Sequence, residues 1–418
     1  MVTKAADAVH RGNTPRQHGA MEYSEAPVDL DKVRLYRLGR IREELKKRDY
    51  AGALFFNQIN TRYATDATNM QIWCSHYETR CVFIATEGPT VLFDYAYHPH
   101  LADGLPTVDE YRAIPSFYYF SAGPHVYERA KQFGDQIADL IAKHGGGNKR
   151  LALDELSHLG VDAIRSHGIE VMEGLEVAEQ ARAIKSPEEL ILMRKSIEVC
   201  ETAMAAMRDA LRPGIITENA LWAKLHETNI RLGGEWIETR LLSSGPRTNP
   251  WFRECSMRVI EDGDMVSFDT DLIGPYGYCA DISRSWLCGD GKPSDEQRRL
   301  YAKAVEQIEK NKSILKPGMS FREVSEQTWP IPEEFLSNRY TSLMHGVGLA
   351  DEYPSFQHWI DYPAKGYDGV LEEGMTLCVE SFIGVEGGKE GVKLEEQVLI
   401  TRDGIEQLSS YPLEMDWL

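Results

Sequence analysis

Residues 267–281 read SFDTDLIGPYGYCAD, a hairpin pattern with more charge than an ordinary sheet carries. The turn sequence GPYG separates two strand-like runs. Asp269, Asp271 and Asp281 stand where such strands usually carry Val or Thr, because Asp is depleted in strands. Side chains alternate along a strand, so Asp269 and Asp271 share one face, and a turn centred on Tyr276 places Asp271 opposite Asp281. Three converging like charges predict a bound metal ion. The simpler alternative is an exposed hairpin whose aspartates face water.

Later segments supply further candidate ligands for such an ion. His345 is followed by two glycines in LMHGVGLADEYPSF, Glu380 interrupts the apolar strand MTLCVESF, and VKLEEQVLIT carries Glu395 and Glu396. Burying Glu380 among apolar neighbours without a partner would cost free energy. One imidazole with four or five carboxylates suits a hard or borderline divalent ion such as iron, manganese, cobalt or zinc. So many carboxylates would over-neutralise one ion, and we therefore expect two bridged ions.

The composition is that of a globular enzyme without a nucleic-acid or membrane partner. The 418 residues are 42% hydrophobic and 27% charged, and the length suggests two or three domains. The net charge of −19 disfavours nucleic acid and anionic membranes as partners. The sequence has no apolar run long enough to span a membrane and no secretory segment at its start. Its seven cysteines include no C-x-x-C pair, which predicts reduced thiols and a cytoplasmic location.

The order of patterns along the chain predicts three parts. Residues 1–29 are polar and predict a mobile arm or a segment that packs on a partner subunit. Across residues 30–185, helical and strand patterns alternate, which predicts an α/β domain. A second domain, residues 186–418, opens with a capping box formed by Ser186 and Glu189.

The second domain contains a faint internal repeat. The sequence LRPG at 211–214 recurs as LKPG at 315–318, each after a long helical pattern. EDGDMVSFD at 261–269 is echoed by EEGMTLCVE at 372–380, and in both a Gly is followed six residues later by a carboxylate. We expect two halves related by a pseudo-twofold axis, with the site between them.

The segment GYCADISRSW resembles the signature of the pita-bread metallohydrolases, which include methionine aminopeptidase, aminopeptidase P, prolidase and creatinase. The metal ligands of that family follow the chain order Asp, Asp, His, Glu, Glu, and Asp281, His345, Glu380 and Glu395 match four of them. The resemblance implies an α/β (α+β) fold in which a creatinase-like N-terminal α/β domain precedes a pita-bread metal-binding domain with pseudo-twofold halves. It also implies a homodimer.

The first aspartate of that order is irregular in this chain. Counting back from Asp281 without a gap places Thr270 there, and a shift of one residue brings in Asp269 or Asp271. We expect both aspartates to point at the metals, either as two ligands or as one ligand with a hydrogen-bond acceptor beside it.

Three histidines that the resemblance would lead one to expect in a peptidase are replaced. Trp251, Thr341 and Asp351 stand near their positions. Because peptide hydrolysis needs donors for an oxyanion and an acid for the leaving amine, we expect no useful peptidase activity. His358 is a candidate replacement, although its distance along the chain from His345 favours a surface or core role.

A metal site with an added carboxylate and no acid suits an elimination with a good leaving group. Asp351 is the expected general base, and Tyr340 is the alternative. Residues 338–359 and 243–258 closely resemble a branch of the family, the dimethylsulfoniopropionate lyases of marine bacteria. That resemblance implies a metal-dependent, base-initiated β-elimination of dimethylsulfoniopropionate to dimethyl sulfide and acrylate, with iron as the favoured metal.

Aromatic rings are expected to hold the sulfonium group of such a small-molecule substrate. The candidates are Trp73, Trp251, Tyr340 and Tyr353, and Trp73 is preferred because it lies in a polar loop. For each ring taken singly, core packing is the alternative. Two other functions fit the same ligands: a Xaa-Pro aminopeptidase or creatinase-like amidinohydrolase, and a non-catalytic binding module on the same fold.

Overall fold

The computed structural model describes residues 27–418, so the predicted N-terminal arm lies outside the described residues except for its last three. The described chain divides into two compact units between Arg182 and Ala183, close to the boundary predicted at residue 185. No helix among the described residues combines the length and apolar character that crossing a membrane requires.

The N-terminal unit is built on a six-stranded sheet with the strand order β4-β3-β2-β1-β5-β6. Its strands are β1 (Gly52–Phe55), β2 (Cys81–Ala85), β3 (Thr90–Asp94), β4 (Glu110–Ala113), β5 (Arg150–Leu153) and β6 (Glu170–Glu173). Its helices are α1 (Leu30–Lys47), α2 (Gln58–Thr65), α3 (Gln71–His76), α4 (Tyr119–Ala122), α5 (Val126–His144), α6 (His158–Arg165) and α7 (Leu175–Arg182). Strand β5 pairs in parallel with β1 and β6, whereas β2 pairs antiparallel with β1 and β3. The predicted α/β character of this region is confirmed.

Helix α5 covers this sheet because its apolar residues recur at helical spacing. Phe133, Ile137, Leu140 and Ile141 are buried, and they belong to the same core cluster as Phe83 of β2. The sheet and its covering helices therefore enclose a core of their own.

The C-terminal unit combines two three-stranded sheets and one five-stranded sheet with long helices. Its helices are α8 (Pro187–Ala210), α9 (Glu218–Arg231), α10 (Asp295–Ile314), α11 (Phe321–Gln327) and α12 (Tyr362–Lys365). Its strands are β7 (Trp236–Ile237), β8 (Leu242–Ser244), β9 (Met265–Asp269), β10 (Leu272–Ile273), β11 (Cys279–Ala280), β12 (Ser283–Leu287), β13 (Met344–Val347), β14 (Asp351–Phe356), β15 (Thr376–Ile383), β16 (Val392–Thr401) and β17 (Gly404–Gln407). The sheet orders are β11-β10-β7, β12-β9-β8 and β14-β13-β15-β16-β17. The predicted capping box of Ser186 and Glu189 begins α8.

The internal repeat that the sequence predicted appears as matching backbone contacts. After α8, the N–H of Gly214 donates to the carbonyl of Ile260 at 2.8 Å, and after α10, the N–H of Gly318 donates to the carbonyl of Leu371 at 2.8 Å. The isolated β-bridges Thr217–Val259 and Ser320–Val370 are equivalent in the same way. The two halves therefore lead into β9 and β15 through the same local structure, and each of these strands carries a carboxylate toward the site.

Candidate metal centre

Three aspartates converge around the hairpin between β9 and β12. Asp269 ends β9 opposite Ser283 of β12, and β10 and β11 continue as a tighter hairpin around Tyr276, as the sequence predicted. Asp271 has a φ of 37°, in the left-handed region, and its N–H donates to Oδ1 of Asp281 at 3.3 Å. Asp269, Asp271 and Asp281 each offer an oxygen within 4.8 Å of the others. The local backbone thus gathers three carboxylates at one point.

Thr270, between two of these aspartates, is bonded to the backbone. Its hydroxyl donates to the carbonyl of Ala280 at 2.9 Å and accepts from the N–H of Ile282 at 2.9 Å. A hydroxyl engaged on both sides is not free to bind an ion. The structure therefore brings Asp269 and Asp271, rather than Thr270, to the cluster.

The five-stranded sheet brings His345, Glu380 and Glu395 to the same place. His345 lies on β13, and Glu380 on β15 stands directly opposite Glu395 on β16. His345 Nε2 lies 3.1 Å from Glu380 Oε1, 3.6 Å from Asp281 Oδ2 and 3.8 Å from Glu395 Oε1. The thiol of Cys378 also lies within 4.8 Å of donor atoms of Asp281, His345 and Glu395. All six predicted ligands thus meet in one buried cluster.

Alternation along β16 separates its two adjacent glutamates. Glu395 faces the cluster, whereas Glu396 faces the other side of the sheet and pairs with Arg284 at 2.9 Å. The strand pattern alone did not separate the two glutamates, the family resemblance favoured Glu395, and the register of the strand turns Glu395 toward the cluster.

A buried lysine lies among these carboxylates, and sequence reasoning missed it. Lys393 Nζ lies 3.0 Å from Asp269 Oδ2, 2.8 Å from Glu380 Oε2 and 3.2 Å from Glu395 Oε2. Its side chain is fully buried. The signal that could have revealed it is its position two residues before Glu395, because residues i and i+2 of a strand share a face.

The five carboxylates of the cluster fall into two classes by the direction of their pKa shifts. Burial raises the pKa of Asp269 and Glu380, but the ammonium of Lys393 and the hydrogen bonds that each carboxylate accepts together outweigh burial, so each pKa lies below its ordinary value. Burial, followed by neighbouring carboxylates for the two aspartates, raises the pKa of the other three, Asp271, Asp281 and Glu395. The cluster therefore holds more negative charge than its own lysine balances.

Glu395 shows most directly that the cluster fits a cation. Its Oε1 is buried and has no hydrogen-bond partner in the described part of the chain, which is costly for a carboxylate oxygen. Carboxylate oxygens with one imidazole are a donor set for hard or borderline divalent ions. Burial lowers the pKa of His345, but the surrounding carboxylates raise it on balance, so an ion that binds here has to displace a proton.

Asp351 begins β14 and lies beside the cluster with its carboxylate partly in solvent. Its Oδ1 lies 3.8 Å from His345 Nδ1, and 50% of its side-chain surface is exposed. Desolvation of the carboxyl group raises its pKa, whereas His345 acts in the opposite direction. Asp351 thus combines access to solvent with a place next to the buried donors.

Two of the predicted aromatic residues lie next to the cluster. Lys393 Nζ lies 4.8 Å from the ring centre of Tyr340 and 6.0 Å from that of Trp251. Phe252 stacks on Tyr340 with ring centres 5.3 Å apart, and 54% of its surface is exposed. These three rings form the aromatic side of the centre.

The remaining candidates lie in other surroundings. Trp73 is on α3 of the N-terminal unit, with its ring centre 4.9 Å from that of Tyr77. Tyr353 on β14 packs on Phe321 at 5.7 Å. His358 is buried, and its Nε2 has no hydrogen-bond partner among the residues that the structure describes. For Trp73 and Tyr353, a role in binding substrate stays a prediction.

Known proteins with the same sequence features are lyases and metallopeptidases. The profile of metallopeptidase family M24 matches residues 191–402. The chain is 46% identical over 390 residues to the dimethylsulfoniopropionate lyase DddP of Roseovarius nubinhibens, covering 92% of this chain and 87% of the relative. It is 44% identical over 407 residues to the protein of the same name from Roseobacter denitrificans, covering 96% of this chain and 91% of the relative.

Solved structures agree on the fold. The Xaa-Pro dipeptidase of Bacillus anthracis superposes with a TM-score of 0.72 at 21% identity, covering 91% of this chain and 98% of that one. The predicted pita-bread fold is confirmed by this likeness. The chain therefore belongs to metallopeptidase family M24, in the branch of the DddP lyases.

Proposed function

We propose that this protein is a lyase that cleaves dimethylsulfoniopropionate to dimethyl sulfide and acrylate. The two relatives that carry this activity in their names are 44–46% identical over more than nine-tenths of this chain. The structural observation that carries the proposal is Asp351, a half-exposed carboxylate beside a buried cluster of metal-type donors. This arrangement supplies a base without an acid, which suits an elimination whose leaving group needs no proton.

The cluster is suited to two divalent ions, and iron is the metal that we favour. The proposed ligands are Asp269, Asp271, Asp281, His345, Glu380 and Glu395. Asp269, Asp281 and Glu395 each belong to two overlapping groups of donors, which supports a site that would hold more than one ion. Five carboxylates and Lys393 leave a formal charge of minus four, which two divalent ions neutralise. When bound, such ions act as Lewis acids toward the substrate carboxylate.

Asp351 takes the proton from the carbon next to the substrate carboxylate. The electrons of that C–H bond form the double bond of acrylate while the bond from the β-carbon to sulfur breaks. The sulfonium group leaves as neutral dimethyl sulfide and takes up no proton. Because half of its surface is exposed, Asp351 can then release the proton to water. Its raised pKa makes it a stronger base than a free aspartate.

Tyr340 is the alternative base, and its surroundings disfavour that role. Burial, followed by the charge of Glu380, raises the pKa of the Tyr340 phenol, and a phenol has to ionise before it can accept a proton. We assign its ring to substrate binding. Because Lys393 already lies over Tyr340, like-charge repulsion directs a sulfonium group away from Lys393 toward the exposed ring of Phe252. The ring of Trp251 lies on the same aromatic side of the metal centre.

We also propose that the protein acts as a cytoplasmic homodimer. The seven cysteines are free and buried, which supports a reducing compartment, and the net charge of −19 suits a protein that binds neither nucleic acid nor anionic membrane. Light scattering of the purified protein tests the dimer, and fractionation of the cells that make it tests the location.

A panel of substrates tests the function. Purified protein of known metal content is offered dimethylsulfoniopropionate and, separately, Xaa-Pro peptides and creatine. From dimethylsulfoniopropionate we expect dimethyl sulfide and acrylate in equal amounts. Elemental analysis should find two equivalents of metal per protein chain. Turnover of a Gly-Pro peptide at about 1 per second or more would instead identify a peptidase. Bound metal without turnover of any substrate would identify a binding module.

A further inference from the structure

The residue that follows Asp351 is fixed deep in the protein by an ion pair. A carboxylate oxygen of Glu352 pairs with Nζ of Lys185, and the two side chains are 0% and 3% exposed. Adjacent residues of a strand point to opposite faces, so Glu352 points inward where Asp351 points toward solvent. The same piece of backbone therefore carries a buried anchor on one face and the proposed base on the other.

Lys185 is itself held on a rigid segment. Its N–H donates to the carbonyl of Gly374 at 3.0 Å. It immediately precedes Ser186, the capping residue of the 24-residue helix α8. An anchor at this point ties the start of β14 to the start of the longest helix that the structure describes.

Two glycines between His345 and Asp351 make room for this anchor. A Cβ on Gly348 would lie 2.5 Å from Oε1 of Glu352, and a Cβ on Gly346 would lie 2.2 Å from the backbone of β14. The pairing of β13 with β14 also shifts register between His345 and Gly346. The two glycines thus allow the side chain of Glu352 to point inward, and they lie in the turn that sets the distance between His345 and Asp351.

We propose that Lys185 and Glu352 form a positioning pair that holds Asp351 at its distance from the metal centre. The ion pair joins Glu352 to Lys185 and not to a donor of the cluster, so the pair acts on Asp351 through the backbone of β14. A buried ion pair adds little net stability, because desolvation offsets the attraction, which favours a geometric role over a stabilising one. The inference rests on the proposed role of Asp351 as the base.

The test compares Lys185→Met and Glu352→Gln with a matched pair elsewhere. Arg80 and Asp94 in the N-terminal unit form an equally buried pair, with Nε and Oδ2 2.6 Å apart and both side chains 0% exposed. We expect Lys185→Met to keep its metal and its KM within about twofold while kcat falls about 100-fold, the cost of a displacement of roughly 1 Å. Glu352→Gln keeps the shape of the side chain, so its kcat should fall by less than that of Lys185→Met. Arg80→Met and Lys185→Met should both lose stability, because each leaves a buried carboxylate unpaired, but Arg80→Met should keep its kcat.

Two further variants make the result decisive. Lys185→Arg keeps the positive charge of the pair and should therefore retain most of the wild-type kcat. In the Asp351→Asn background, Lys185→Met should cost little more, because its effect passes through Asp351. A kcat within about threefold of wild type in both Lys185→Met and Glu352→Gln overturns the positioning role, as does an equal loss in Arg80→Met. Failure of the wild-type protein to release dimethyl sulfide would instead refute the proposed function.

Discussion

The two units of this chain bury charge in different ways. In the N-terminal unit, one guanidinium meets one carboxylate, Arg80 with Asp94, so the two formal charges balance, although Nη2 of Arg80 has no hydrogen-bond partner among the described residues. In the C-terminal unit, five carboxylates meet Lys393 and one imidazole, and Oε1 of Glu395 has no hydrogen-bond partner among the described residues. A pair with balanced charge needs no further ion. An unbalanced cluster is complete only with a cation, and this difference distinguishes a structural site from a functional one.

The largest effect is expected from removing a donor of the unbalanced cluster. His345→Ala or Glu380→Ala should empty or scramble the metal site and reduce lyase activity to background, because the remaining donors no longer enclose the ions. Elemental analysis and release of dimethyl sulfide measure the two effects. Glu396→Gln is the matched control, because that glutamate pairs with Arg284 on the other face of β16. Full metal content with full activity in both alanine variants would contradict the ligand assignment.

The next effect concerns the base and leaves the cluster intact. Asp351→Asn keeps the shape of the side chain and should retain metal while kcat falls by about 10²–10⁴-fold, the usual contribution of a general base. Tyr340→Phe is the companion variant, with an expected loss within about tenfold. If Asp351→Asn releases dimethyl sulfide within about tenfold of wild type and Tyr340→Phe does not, the two roles are exchanged.

Lys393→Met sharpens the contrast between the two kinds of buried charge. In metal-free protein, the substitution removes the ammonium group from Asp269, Glu380 and Glu395 and should lower the free energy of unfolding by about 3–5 kcal/mol. With ions bound the loss should be smaller, because the ions neutralise the same oxygens. Arg80→Met should give the same loss in both states. Urea unfolding with metal and with chelator measures this, and equal losses for Lys393→Met in both states would show that the lysine and the ions do not share their partners.

The smallest effect is a pH dependence of stability in the C-terminal unit. Burial lowers the pKa of His358 from its ordinary value of 6.5 to about 4, so between these values the unfolded chain binds a proton that the folded chain does not. Stability should therefore fall as pH falls through this window, by roughly 3 kcal/mol in total from this residue. His358→Gln should remove that part of the dependence, whereas His98→Gln, on an exposed loop of the N-terminal unit, should keep it. Unfolding at pH 7 and pH 4.5 compares the three proteins, and parallel losses in all three would exclude His358 as the source.

What the sequence could predict depended on strictly local geometry. Asp269, Asp271 and Asp281 were paired correctly because alternation and one turn fix their relation. Glu395 was distinguished from Glu396 only by the family resemblance, because the register of β16 depends on its neighbours β15 and β17. The internal repeat was readable because the same glycine and carboxylate spacing occurs twice.

The residues that were not predicted from the sequence were missed for physical reasons as well. Lys393 was passed over because lysine is almost never fully buried unless it is paired, and the carboxylates that pair with it come from other strands. The anchor behind Asp351 was invisible because Lys185 and Glu352 are far apart in sequence. Phe252 was not among the predicted aromatic residues, since its stacking on Tyr340 depends on a long-range contact.

The internal repeat has a consequence for how this enzyme could be divided. Residues 289–294 are largely exposed and join the half that supplies Asp269, Asp271 and Asp281 to the half that supplies His345, Glu380 and Glu395. A chain cut there would give two fragments, each with three of the six donors. The ion pair of Lys393 with Asp269 would attract the fragments, whereas the remaining carboxylates of the two fragments would repel each other. Divalent ions would remove that repulsion and bind donors of both fragments at once. The six donors that serve catalysis would then also make the association of the two fragments dependent on metal ions.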